Sequence, residues 1–225
     1  MKGCEMSDGF EQLIEQSLAF FANLKANNTK DFYAEHKDFY TTEIKKPAEL
    51  LADILGDEIS RLTKVSLTPK LFRIHRDVRF SKDKTPYNTH LHMMWRASGD
   101  TAPVWFFGAS PDYIVTGMGV MGLQGDALTQ YRAMIDDTGD DLQAALDAAQ
   151  ASVNATLSDW GPPPLKRVPK PYNPDHPHGD LLKRKALAIN APLGENWRTD
   201  GVIPSVKASV KGMMPVWKIL QDQFG

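Results

Sequence analysis

Cysteine is all but missing from this chain. Cys4 is the only one in 225 residues, so neither an internal disulfide nor a paired-cysteine metal site can be built. Cys4 itself reads as a loose terminal thiol. Long apolar runs are also missing, and none approaches the ~20 residues that a membrane-spanning helix needs. The opening stretch, Met1 to Asp8, has no apolar centre of the kind that a secretory leader carries. A soluble cytoplasmic protein without membrane contact is the expectation. Neither sign of charge dominates. Lys and Arg number 26 against 28 Asp and Glu, for a net charge of −2 and a pI near 6.3. A generic nucleic-acid coat would be strongly basic, although a local basic patch stays compatible with these totals. No serine nucleophile elbow, P-loop, HExxH or internal repeat is present. Gly117, Gly119 and Gly122 do not make a dinucleotide fingerprint, because their spacing is irregular and they close a strand.

Hydrophobic residues at 42% and charged residues at 24% suit a packed globular core, and 225 residues suffice to build one without staples. The first third reads as helical. Phe10, Leu13, Ile14, Leu18, Phe21 and Leu24 recur at spacings of three and four. Ser7 or Asp8 can cap this helix and Asn27-Asn28 can stop it. Thr29 offers a cap for a second helix carrying Phe32, Tyr33, His36, Phe39 and Tyr40. Pro47 suits the first turn of a third, with Leu50, Leu51, Ile54, Leu55, Ile59 and Leu62.

Beyond Pro69 the period changes. Leu71 to Phe80, Leu91 to Ala97, Val104 to Ala109 and Tyr113 to Met121 read as strands separated by turn residues. Short links between them predict an antiparallel meander. Asp126 to Ile135 and Asp140 to Val153 read as helices. The proline-rich passage from Gly161 to Pro174 reads as an ordered loop over the sheet. Leu181 to Lys185 reads as a short helix and Ala186 to Ala191 as a strand. Ile203 to Phe224 is a closing helix that Pro215 should kink or divide. The expected fold is α+β: one domain over residues 1–225, helical to about residue 63, with an antiparallel sheet of about four to six strands from about residue 66.

The densest chemistry lies in residues 70–84, which hold six of the 26 basic residues and two acids, Asp77 and Asp83. If Leu71 to Phe80 is a strand, Phe72, Ile74, Arg76, Val78 and Phe80 share a core face, and Arg73, His75, Asp77 and Arg79 share the other. Asp77 can order part of that array, but one carboxylate cannot neutralise two arginines and a histidine. Flanking arginines should lower its pKa, which suits an organiser better than a base. Lys82 and Lys84 extend the cluster, and Tyr87 adds a hydroxyl. Guanidinium forks match phosphate or carboxylate oxygens in pairs, so the candidate ligand-binding set is Arg73, Arg76, Asp77, Arg79, Lys82, Lys84, Tyr87 and His75. Three uses stay open. The set can hold an anionic small molecule, contact nucleic acid or a protein, or serve as a scaffold in which Arg76 pairs with Asp31, Glu35 or Glu58. No residue stands out as nucleophile or base, so no reaction is assigned and no cofactor is implied. Oligomeric state is not encoded legibly.

Other groups read more plainly. His90 and His92 share a strand face, but without a clear third ligand they are ordinary half-buried histidines, and no metal site is assigned. Asp175-His176-Pro177-His178 reads as a solvated loop. Lys166, Arg167, Lys170, Lys183, Arg184 and Lys185 form a second basic region, which counts only if the loop folds back over the sheet. Trp95 and the Trp105-Phe106-Phe107 triplet read as core.

Arg73-x-x-Arg76-Asp77-x-Arg79-Phe80, followed by Asp83-Lys84-x-Pro86-Tyr87, resembles the signature of a family of bacterial and fungal conserved hypothetical proteins, a domain of unknown function. The resemblance extends to Asn27-Asn28, Asp31-Phe32 and Tyr40 near the start. Near the end it takes in Pro169-Lys170, Tyr172, Asp175-His176-Pro177 and Leu181-Leu182-Lys183. Relatives carry Lys where this chain has Asn88, so a seventh cation is dispensable. They carry Gly where it has Pro171, which weakens any argument for close backbone approach there. The resemblance implies no activity.

Overall fold

A computed structural model describes residues 9–99 and 101–225. Cys4 and the expected Ser7 or Asp8 cap lie outside the described residues. Helix α1 (Glu11–Ala26) buries Leu13, Ile14, Phe20, Phe21 and Leu24 on one face. Thr29 caps α2 (Lys30–Phe39), its Oγ1 accepting from Phe32 N at 3.2 Å. A π-helical turn (Tyr40–Lys45) runs directly into α3 (Lys46–Thr63), with Pro47 in the first turn as the sequence predicts.

A six-stranded antiparallel sheet follows, consistent with the expected α+β class. It comprises β1 (Thr68–Leu71), β2 (Leu91–Arg96), β3 (Val104–Ser110), β4 (Tyr113–Val120), β5 (Thr156–Leu157) and β6 (Leu187–Pro192). Their order is β1-β2-β3-β4-β6-β5. Between β4 and β5 lies α4 (Gly125–Val153), interrupted by non-helical backbone at Thr138 (φ −125°, ψ 27°) into two helical stretches, as the sequence predicts. The short α5 (Gly179–Leu182) and α6 (Trp197–Asp200) flank β6. Helix α7 (Val202–Phe224) continues through Pro215 and is not divided by it.

All the long helices lie on one side. Helix α1 packs under β3, α3 under β1 and β2, and α7 under β4 and against α4. The pleat sends Leu91, Met93, Trp95, Trp105, Phe107, Met118, Leu187 and Ile189 into this layer, each almost wholly buried. Burying a side chain of this size contributes about 1.5–3 kcal/mol. Trp95 also donates its indole N–H to Ala52 O at 2.8 Å, and Trp105 stacks on Trp217 at 5.1 Å.

The alternate residues of the strands face away from the helices. On that open face lie Lys70 opposite Met94, His92 opposite Gly108, and Phe106 opposite Gly117.

One expected strand is corrected. Leu71 to Phe80 is not a strand, because β1 stops at Leu71 after Phe72 N donates to His92 O at 2.9 Å. Residues 72–90 leave the sheet as an arm whose halves meet in one bridge, His75 with Tyr87. Without a ladder the alternating faces do not form, so Phe72 and Phe80 are exposed and only Ile74 is buried. The arm is fastened at its base. Asn28 Nδ2 donates to Tyr87 O at 2.9 Å, and Tyr87 N donates to Asn28 Oδ1 at 3.1 Å. The Tyr87 ring stacks on Tyr33 at 4.5 Å.

Candidate functional site

Most of the predicted cluster is satisfied within the arm itself. Arg76 Nη1 donates to Asp83 Oδ2 at 2.6 Å, to Thr85 O at 3.0 Å and to Thr85 Oγ1. Its partner is therefore a neighbour in sequence and none of Asp31, Glu35 or Glu58. Glu58 is engaged by Lys207 and Arg61. Donation from the Thr85 backbone and from Arg76 lowers the Asp83 carboxyl to about 2. Arg79 forks onto Asp77, with Nε to Oδ1 at 2.9 Å and Nη2 to Oδ2 at 2.6 Å. That fork, with help from the Arg79 N–H and the Arg73 charge, holds the Asp77 carboxyl below its ordinary range. Asp77 therefore grips one arginine rather than ordering three cations. Lys84 Nζ donates to Val78 O at 2.9 Å. The His75 ring meets Tyr33 and Tyr87 edge-on at 5.3 and 5.2 Å. Arg73 and Lys82 are exposed and have no ion-pair partner among the described residues.

A different set of residues builds a concave site on the open sheet face. Gly108 has no side chain, so the His92 ring lies against its Cα; a Cβ there would sit 3.0 Å from His92 Cδ2. Phe106 lies across Gly117 in the same way, where a Cβ would fall 2.0 Å from Phe106 Cζ. Trp160, just beyond β5, reaches back over the sheet. Its ring centroid lies 5.3 Å from Phe106, 5.6 Å from His92 and 5.6 Å from Tyr113. Phe72, at the root of the arm, meets His92 edge-on at 6.4 Å. Phe72, His92, Phe106 and Trp160, together with Met94, line a cleft of about 170 Å³, and Tyr113 stands behind His92 and Trp160. An apolar cavity of ~150 Å³ accepts benzene, so this one admits a single ring-sized group.

His92 supplies the polar handle. Its Nε2 lies 2.7 Å from Tyr113 Oη, and His90 stacks on it at 3.7 Å. Burial, with a smaller contribution from His90, pushes His92 down to about 3. Burial also lowers His90 and raises the Tyr113 hydroxyl. At neutral pH the cleft thus holds a neutral imidazole bonded to a neutral phenol. So weakly basic an imidazole suits hydrogen bonding to a ligand better than proton abstraction.

Cations of the sheet share this face. Lys70, opposite Met94, and Arg96, two residues along from Met94, share the open face by register. Lys70 Nζ lies 5.2 Å from the Phe72 ring centre. Neither has an acid partner among the described residues.

Elsewhere, His176 and His178 are not in a solvated loop. They dock on α4 against Asp136 at 3.3 Å and Asp140 at 2.8 Å. Among the described residues no group of three or more His, Cys, Asp or Glu could hold a metal ion. No helix among them is long and apolar enough to cross a membrane. Of the Trp105-Phe106-Phe107 triplet, Trp105 and Phe107 are core, but Phe106 faces the cleft. Trp160 escaped the sequence reading. Its one signal is a lone large aromatic in a passage otherwise made of Asp, Gly and Pro.

A family model described as a conserved hypothetical protein, DUF2461, matches residues 16–218. The chain belongs to that family. The DUF2461 match spans the arm, the sheet and the Trp160 loop alike. No curated protein matches the chain.

Proposed function

We propose that this DUF2461 protein binds an anionic ligand that carries a planar ring, on the open face of its sheet. The supporting observation is the pairing of two features on one surface. The ring-sized cleft between Phe72, His92, Phe106 and Trp160 is apolar, and the cations on the same face, Lys70 and Arg96, have no carboxylate partner. Both are exposed, so each is free to make a charge-assisted contact with an anion whose ring lies in the cleft. Arg73 and Lys82 add unpaired charge on the adjoining arm. Arg76, Arg79 and Lys84, already engaged, act chiefly to shape it. The His92–Tyr113 pair offers a neutral hydrogen bond to the ring's edge.

The test is a thermal-shift and calorimetric panel. Ring-bearing anions (2-naphthalenesulfonate, a nucleoside monophosphate) should raise the melting temperature. Inorganic phosphate, which lacks the ring, and 2-naphthol, which lacks the charge, should not. Trp160→Ala should abolish the shift, and Lys70→Ala should weaken it and flatten its salt dependence. Equal responses to 2-naphthol and the sulfonate would refute a role for the cations. Silence across the panel would refute the site.

A further inference from the structure

The cations of the open face are spread along it, and this bears on the size of the ligand. On the β1 side stands Lys70, and the arm that leaves β1 there carries the exposed Arg73 and Lys82. On the opposite side, beyond β5, Arg184 Nη1 donates to Ser158 O at 3.2 Å, next to Trp160. From there Lys166, Arg167, Lys170 and Lys183 line a second groove of about 680 Å³ beside Tyr172. In this groove only Lys183 is paired, with Asp180 at 2.8 Å. Ser158 and Trp160 belong both to the aromatic cleft and to the furrow along Pro162 to Pro164 and Arg184. The cleft therefore runs into the furrow, and the basic groove begins within two residues of the furrow's end, where Leu165 N donates to Lys183 O at 2.9 Å. Six strands at ~4.8 Å make the sheet roughly 24 Å wide, more than a ring with one charged group can span.

The charge of the whole chain follows the same division. Residues 64–121 and 156–193, which form the sheet and its loops, hold 14 of the 26 Lys and Arg but 7 of the 28 Asp and Glu. That part carries +7. The rest, mostly the helical layer, holds 12 cations and 21 acids and carries −9. The near-neutral total thus hides a basic sheet segment in front of acidic helical ones.

Rings stand among these cations. Lys70 lies over Phe72, and the Arg79 guanidinium is 5.9 Å from the Phe80 ring centre. Phe72 is 42% exposed, Trp160 37% and Phe80 95%. Half-open rings at the cleft, Phe72 beside Lys70 and Trp160 beside Arg184, match the requirements of a chain of phosphates bearing unpaired bases. A duplex offers no free ring faces to stack on them.

We infer that the ligand of this face is a single-stranded nucleic acid. One base enters the cleft beside Trp160, and the phosphates follow the furrow to Lys166, Lys170 and Lys183. This rests on the binding face proposed above and adds its partner.

Fluorescence anisotropy with 5′-fluorescein-labelled U10 and T10, a ten-base-pair duplex, and unlabelled UMP as competitor tests it. Both single strands should bind more tightly than UMP and than the duplex, and their ranking tells RNA from DNA. The logarithm of affinity should fall with that of salt by about 0.7 per neutralised phosphate. Lys166→Ala with Lys170→Ala should reduce that slope by about 1.4 and lower the ratio of U10 to UMP affinity. Trp160→Ala should weaken U10 binding roughly five- to hundredfold. Lys211→Ala with Lys218→Ala, on the helical side, should leave it unchanged. UMP binding as tightly as U10 would overturn the inference and leave the cleft reading standing. A preference for duplex, or a slope indifferent to Lys166 and Lys170, would also overturn it. No binding by any of these probes would overturn the inference, and the naphthalenesulfonate shift would then decide the cleft reading by itself.

Discussion

Replacing Gly117 with alanine should damage the cleft and the sheet together. The added Cβ would sit 2.0 Å from Phe106 Cζ, 2.6 Å from its Cε1 and 2.6 Å from Ile189 O. The first two contacts can be relieved by swinging the ring, which disturbs its packing with Trp160, 5.3 Å away. The third is with backbone of the neighbouring strand and requires the β4–β6 pair to part locally. Overpacking of this kind costs about 1–3 kcal/mol. For a chain of this size each kcal/mol lowers the melting temperature by about 2–4 °C, so a fall of roughly 2–12 °C is expected by calorimetry. Trp160 fluorescence should shift as its neighbour moves, and ring-anion binding should weaken. Phe106→Ala in the same chain removes the ring but not the Ile189 contact. The double variant should therefore be less damaged than the sum of its parts, by about 0.5 kcal/mol or more. A single variant that melts like the parent, or strict additivity in the pair, would refute this account of why position 117 has no side chain.

Asn28→Ala removes both bonds to the Tyr87 backbone. It should cost about 1–3 kcal/mol, and hydrogen exchange should show the Tyr87 amide losing protection ahead of the sheet. Thr116 is fully buried with an unpartnered Oγ1. Thr116→Val should therefore raise stability by about 1 kcal/mol and the melting temperature by about 2–4 °C, read by calorimetry. His92 takes up its proton near 6.5 when unfolded but near 3 when folded. Protonation thus favours the unfolded chain, and His92's contribution to stability is constant above about pH 7 and declines as pH falls toward 3. Its ring resonances should stay put from about pH 8 to 5 by NMR, and His92→Gln should flatten the acid limb of the urea midpoint.

The helices and the hairpins were readable because each rests on a local rule. Leu13, Ile14, Phe21 and Leu24 keep helical spacing, and Pro47 and Thr29 sit at helix starts as their chemistry requires. Turn residues separate β2, β3 and β4, so their order followed directly. Where the reading failed, the deciding partner lay far away in sequence or was lacking. Residues 72–80 alternate like a strand, but no ladder extends beside them once β1 ends at Leu71. The arm's charges then pair with one another across a few residues. The two-residue β5 is too short to show any period. The cleft was least legible, since Phe72, His92, Phe106, Tyr113 and Trp160 come from four strands or strand ends and a loop. Only the register brings them together. His92 and Phe106 in particular look like ordinary half-buried and core residues until the glycines opposite them are known.

A broad sheet with one bare face invites further strands to join at its rims, and both rims here are poor hosts. Strand β1 is four residues long and carries Pro69, which has no N–H to offer, next to Lys70, whose charge resists an incoming apolar ribbon. At the far side β5 presents two residues before the chain turns away. An invading strand would find too few rungs at either end, so the face can stay open without seeding aggregation.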